Sequence, residues 1–191
     1  MDRFILASAS PRRRLLMENL GLVFQVIPPA IEENWDFNDL PPDLVMRLAR
    51  DKARSVSLEH EKATILAADT IVVKDGHILG KPHNFHEACN MLSQLSGSEH
   101  VVITGICLLN RASDLELVEY ETTKVFFREL SSQEIVRYVS SGEPFDKAGG
   151  YGIQGRGALL VSGIEGCYYN VVGLPLAKLQ TMLKSVGISL L

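Results

Sequence analysis

Short apolar strand patterns alternate with amphipathic helix patterns along the whole chain, with no repeat, low-complexity run or long linker between them. That alternation narrows the folds open to the chain to mixed α/β architectures. "FILA" at residues 4–7 reads as a short buried strand, after which Ser10 and Pro11 open a helix running through Leu15, Leu16 and Leu20 to Gly21. "LVFQVI" reads as a second strand and residues 42–58 as a long helix beginning near Pro42. "ATILAADTIVV" and "HILGKP" flank a Lys74-Asp75-Gly76 hairpin turn. "NFHEACNMLSQLSG" is an amphipathic helix capped by Asn84 and stopped at Gly97, and two long strand patterns, "HVVITGICLL" and "ELVEYETTKVFF", follow it. "SSQEIVRYVSSG" is a helix with a capping box from Ser131 to Glu134. A glycine-rich loop, a strand in "ALLVS" and a closing helix from Pro175 that buries Leu176, Leu179 and Leu183 complete the pattern. The expectation is a mixed sheet with several antiparallel neighbours, flanked by helices, in one domain over residues 1–191.

Composition excludes several classes of function. The net charge of −4 argues against a protein that coats nucleic acid, so local basic clusters must serve a small ligand. Cys89, Cys107 and Cys167 are far apart, odd in number and without CxxC spacing, which indicates neither a disulfide framework nor a zinc site and suits a reducing cytoplasm. No signal-peptide pattern opens the chain, and "VVITGICLL" is too short and interrupted to span a bilayer, so no membrane role is expected.

Some charged residues do not fit the core pattern. Arg12, Arg13 and Arg14 stand in the first helical turn, where they face the positive end of the helix dipole. A bound anion reverses that penalty, because a small-residue loop leading into a helix N-terminus offers free N–H groups and arginine adds forked donors; the alternative is a solvated basic face. At about 100° per residue the three cannot all reach one anion, which favours Arg12 and Arg13. On the helix of residues 42–58, Lys52 falls near the centre of an apolar arc of Leu44, Val45, Leu48, Ala49, Ala53 and Val56. It either snorkels past the core or points into a cleft to meet an anion. Lys52→Met is therefore expected to be neutral or mildly stabilising.

Asp69 interrupts the apolar run "ILAADTIVV" and needs a partner: a structural ion pair, a metal, or a role as general base. Glu32 and Glu33, in an acidic loop, are second carboxylates of the kind a magnesium site with phosphate oxygens requires. Lys81 is displayed between Gly80 and Pro82 at a strand end. "EPFDKAGGYGIQGRG" at residues 143–157 has GxGxxG spacing but precedes a strand rather than opening a helix, which rejects a dinucleotide site. Its glycines let the backbone approach a ligand, with Asp146, Lys147 and Gln154 as polar contacts. The Gln154 amide offers one donor and one acceptor group, matching the edge of uracil or thymine.

Together, "LASASPRR", "ADTIVV", "GKP", "GEPFDKAGGYGIQG" and "NVVGLPL" resemble the Maf family of nucleoside triphosphate pyrophosphatases, in the family's order and across almost the whole chain. The resemblance implies an elongated α/β fold similar to that of inosine triphosphate pyrophosphatases, with two lobes around a central cleft. It also implies a divalent metal, Mg2+ or Mn2+, and hydrolysis of a nucleoside triphosphate to monophosphate and pyrophosphate. Arg12, Thr70 and Gln154 match the pyrimidine-preferring branch rather than the one that prefers 7-methyl-GTP, so dTTP and UTP are the expected substrates. By the same resemblance Ser8, Ser10, Arg13, Lys52 and Lys81 hold the triphosphate, Glu33 and Asp69 hold the metal, and Asp69 orients or deprotonates the attacking water. A homodimer is left open, and a nucleotide-sensing regulator of cell division is the competing reading.

Overall fold

The computed structural model describes residues 3–31 and 39–190. Among the described residues seven strands form one mixed sheet, β1 (Phe4–Ala7), β2 (Gln25–Val26), β3 (Thr64–Lys74), β4 (His77–Leu79), β5 (Glu99–Asn110), β6 (Leu115–Phe127) and β7 (Val161–Glu165). Their order is β2-β1-β3-β5-β6-β7, with β4 also on β3. The helices are α1 (Pro11–Asn19), α2 (Pro41–Ser57), α3 (Phe85–Leu95), α4 (Ser132–Val139), α5 (Tyr168–Val172) and α6 (Leu176–Ser185). Among the described residues no helix is long and apolar enough to cross a membrane.

The chain forms two compact units, passing between them within β3, β5 and β6 and again after Val172. In the first, residues 1–69, 104–121 and 173–191, β1 pairs in parallel with β2 and with the start of β3, from Phe4 opposite Thr64 to Ala7 opposite Ala67. Parallel strands need both faces covered, and β1 is accordingly buried at every residue. The buried face of α2 closes on this sheet, joining Ala49, Ala53 and Val56 to Ile5, Ile65, Ala67 and Leu109. Gly105 sets how closely the helix lies: a Cβ there would fall 2.3 Å from the Val45 carbonyl oxygen, so only glycine lets α2 approach the strand this far. Cys107 belongs to the same core, and burial, with Glu116 nearby, pushes its thiol up to about 12, leaving it an unreactive packing residue.

The second unit comprises residues 70–103 and 122–172. Here the end of β3 turns into β4 through Asp75 (φ 49°) and Gly76 (φ 79°), the positive-φ pair of a tight hairpin. Asn84 caps α3 through the Glu87 N–H, and Ser131 and Glu134 form the expected reciprocal capping box on α4. Val72, Leu92, Leu95, Val125, Phe127 and Ile135 lie in its core.

Most differences from the sequence expectation sit at element ends, and one short helix is added. Of "LVFQVI" only Gln25 and Val26 pair, because among the described residues β2 is an edge with β1 as its one neighbour, and Val23 is 92% exposed. "ALLVS" begins as a tight helical turn. The Leu159 and Leu160 carbonyls accept from the Arg128 side chain and N–H, so β7 starts only at Val161. Leu176, at the first turn of α6, is half-buried rather than buried, and α5 is a single turn too short to leave a period in the sequence.

A buried aromatic cluster makes the second unit acid-sensitive. His100, 2% exposed, shares a 2.6 Å hydrogen bond from Nε2 with the Tyr151 hydroxyl and packs edge-on against Phe127. Burial first, and the Lys74 ammonium second, push its pKa down to about 4 from 6.5. The unfolded chain takes up that proton first, so the stability from a neutral His100 is complete above the unfolded value and declines as pH falls toward the folded one. Denaturant titrations should show a loss of about 2 kcal/mol from this residue by about pH 5, absent from the slope of His100→Phe.

Candidate active site

In the first unit, the turn from β1 into α1 is organised by two serines. Ser8, buried, accepts the Ser10 N–H on Oγ at 3.1 Å, and Ser10 in turn caps α1 by accepting the Arg13 N–H at 3.4 Å. The three arginines diverge as the helical spacing requires. Arg14 is exposed and pairs with Glu18 one turn on, whereas Arg12 and Arg13 are half-buried. Arg13 directs Nη1 at the Ala68 carbonyl (2.8 Å) and Nε at the Gly173 carbonyl (2.7 Å). It thereby ties the start of α1 to the residue preceding Asp69, a structural task that sequence reasoning did not assign to it.

Lys52 and Asp69 meet. Lys52 is 7% and Asp69 5% exposed, and the ammonium Nζ donates to the carboxylate Oδ1. The two residues that broke the apolar pattern, one on α2 and one on β3, are thus each other's partner. The pair also revises the expectation for Lys52→Met, since removing the ammonium withdraws the cation from a buried carboxylate. A buried pair is a poor device for stability, because its desolvation cost rivals its attraction and apolar replacements are often as stable. A buried pair in the middle of an otherwise largely apolar strand is a functional-site signal. Asp69 is the one buried carboxylate among the described residues, which hold no cluster of three metal-binding side chains. Glu32 and Glu33 lie outside the described residues.

The second unit carries Thr70, Lys81, Asp146, Lys147 and Gln154. Thr70 is half-buried, next in the chain to Asp69, and Lys81 is exposed. The Lys81 segment is fastened to the glycine loop, since the Gly80 carbonyl accepts the Gly149 N–H at 2.9 Å. Gly149 has φ +68°, and a Cβ there would press on Val72 at 3.0 Å. Lys147 donates to the Asp146 carboxylate and, at 2.6 Å, to the Glu143 carbonyl. Gln154, half-buried, is extended and ends the loop before the turn of residues 155–160. Glu143 was missed as an individual residue: its carboxylate accepts from the Tyr138 hydroxyl and the Arg156 and Gly157 N–H groups. The available signal is a carboxylate, with Asp146, ahead of a run of glycines whose backbone N–H groups carry no side chain to shield them.

The architecture is that of a known α/β class. It matches the Staphylococcus aureus Ham1 protein with TM-score 0.53 at 12% identity, over 97% of this chain and 100% of that one, a likeness that carries the fold alone. The Maf model, described as Maf-like protein, matches residues 3–186, and the chain belongs to that family. Its relatives include proteins named dTTP/UTP pyrophosphatase. That of Ruminiclostridium cellulolyticum is 50% identical over 98% of this chain and 97% of its own. The Pelotomaculum thermopropionicum protein is 47% identical over the full length of both, and that of Symbiobacterium thermophilum is 51% identical over 98% and 95%.

Breaking the buried pair from one side should be costly. Lys52→Met is expected to lose about 3–5 kcal/mol in urea denaturation, and the double variant Lys52→Met/Asp69→Asn to regain a large part of it. Additive losses would show that the two side chains are not coupled.

Proposed function

We propose that this chain hydrolyses dTTP and UTP to the nucleoside monophosphate and pyrophosphate. The observation that carries this reading is the buried Lys52–Asp69 pair in the same compact unit as the arginine-bearing N-terminus of α1, with Arg13 bonded to the carbonyl next to Asp69. The names of the relatives, at about half identity over nearly the whole chain, support the same chemistry and base. The net charge of −4 favours a small anionic ligand over nucleic acid, and three free cysteines suit the cytoplasm.

In this reading the α1 N-terminus, Ser8, Ser10, Arg12 and Arg13 receive phosphate oxygens, with Lys52 and Lys81 as further cations and Asp146 and Lys147 as substrate contacts. Asp69 orients the water that attacks the α-phosphorus in line and accepts its proton, while Lys52 holds that carboxylate in place. Its buried anionic oxygens fit a hard divalent cation, which takes one or two carboxylates and fills its remaining positions with phosphate oxygens and water. Asp69 and Glu33 would hold Mg2+ or Mn2+ there, and the ion would stabilise charge on the phosphate oxygens.

Gln154 reads the base, with Arg12 and Thr70 as the other discriminating positions. Uracil and thymine present an acceptor, donor and acceptor, and a fixed amide pairs with two of them, whereas cytosine presents a donor, acceptor and acceptor. Each buried group left unpaired costs about 1–3 kcal/mol. The test is kcat/KM and product analysis for a panel of triphosphates with Mg2+ or Mn2+. Expected are pyrophosphate as product, dTTP and UTP well above ATP and GTP, CTP weaker than UTP, and reversible arrest by EDTA. Gln154→Ala should flatten the ranking. Release of orthophosphate and a diphosphate, or an unchanged ranking in Gln154→Ala, would contradict the reaction or the base reader respectively.

A further inference from the structure

We infer that Glu143 is a positioning residue for base discrimination, acting through Gln154; this rests on the reading of Gln154 given above. The Glu143 Oε1 accepts from the Tyr138 hydroxyl at 3.0 Å and the Gly157 N–H at 3.1 Å, and Oε2 accepts from the Arg156 N–H at 3.2 Å. The Tyr138 hydroxyl also receives the Gly152 N–H at 3.4 Å. Gln154 therefore lies between two backbone points, Gly152 on one side and Arg156 and Gly157 on the other, both tied to one carboxylate and phenol pair. Glu143 also reaches the neighbouring motif, because its backbone carbonyl oxygen accepts from the Lys147 ammonium.

The glycines of the loop are spaced to admit this clamp. Gly155 adopts φ +65°, and a Cβ on it would stand 3.1 Å from Glu143 Oε2. A Cβ on Gly157 would fall 2.8 Å from the Tyr138 hydroxyl oxygen and 2.1 Å from the Gly152 carbonyl oxygen. Bonds from backbone N–H groups to an ionised carboxylate are stronger than neutral ones, so the clamp holds the loop more firmly than turn hydrogen bonds alone. That firmness matters to the chemistry of the base. A half-turn of a glutamine amide exchanges its donor and acceptor, and a loop free to move lets the amide meet cytosine as readily as uracil or thymine. Discrimination needs the backbone under Gln154 to be fixed before substrate arrives.

The experiment compares wild type, Glu143→Ala, Glu143→Gln, Gln154→Ala and the Glu143→Ala/Gln154→Ala double variant by two readouts. The first is amide hydrogen exchange at Arg156 and Gly157 in the nucleotide-free protein, which needs no activity. Exchange should be roughly tenfold faster in Glu143→Ala, with partial protection kept in Glu143→Gln, whose side-chain oxygen still accepts one bond. The second is the ratio of kcat/KM for dTTP to that for dCTP. It should fall in Glu143→Ala to within about threefold of the Gln154→Ala value and fall no further in the double variant, since both act on one device. Absence of dTTP hydrolysis by wild type would overturn the functional reading and this inference with it, whereas unchanged exchange in Glu143→Ala would overturn the clamp while leaving that reading standing. Parallel loss of dTTP and dCTP turnover at an unchanged ratio, in either Glu143 variant, would assign Glu143 to general loop stability and overturn its role in discrimination.

Discussion

The ion pair between Lys52 and Asp69 is the constraint around which the first unit is arranged. Two charges taken out of water need close, well-placed partners, and neither residue has an apolar reason to be where it is. Their meeting requires α2 to lie close on the sheet, which the missing side chain at Gly105 permits. It also requires β3 to present Asp69 at a defined point, and the start of that strand is locked in parallel register to β1 while Arg13 grips the Ala68 carbonyl. The stability to carry such a pair comes from its surroundings: Leu48, Ala49 and Ala53 on the helix and Ile65, Leu66 and Ala67 on the strand are essentially fully buried.

The second unit solves a different problem. A glycine-rich loop has little side-chain packing and a high entropic cost of ordering, so its conformation must be imposed from outside. Tyr151 is fixed by the buried His100, Gly149 by the Gly80 carbonyl, and the segment after Gln154 by Glu143. Three anchors of different chemistry hold one loop, two before Gln154 and one after it.

Much of this was legible in the sequence where period and capping chemistry speak locally. The two long strands, the hairpin at Asp75 and Gly76, the Asn84 cap and the Ser131 to Glu134 box all depend on residues within a few positions of one another. Lys52 and Asp69 were visible as charges in apolar settings, but not as partners, because a helix and a strand carry no record of which neighbour each will meet. For the same reason Arg13 was read as a ligand for anions and not as a donor to Ala68 and Gly173, the latter 160 residues away. Glu143 carries little sequence signal of its own because two of its partners are backbone N–H groups, which every residue but proline has, and the third is a tyrosine hydroxyl on α4. The β2 and β7 boundaries were misjudged because apolar content continues past the point where strand partners end.

The claim that the paired Asp69 carboxylate directs water at the α-phosphorus is tested most directly by following the oxygen of that water. Hydrolysis of dTTP in water enriched in heavy oxygen, with mass analysis of both products, should place the label in the monophosphate and none in pyrophosphate. The rate of incorporation should collapse by on the order of a hundredfold or more in folded Asp69→Asn, as expected for loss of a positioned base. Label in pyrophosphate, or incorporation by folded Asp69→Asn at the wild-type rate, would contradict it.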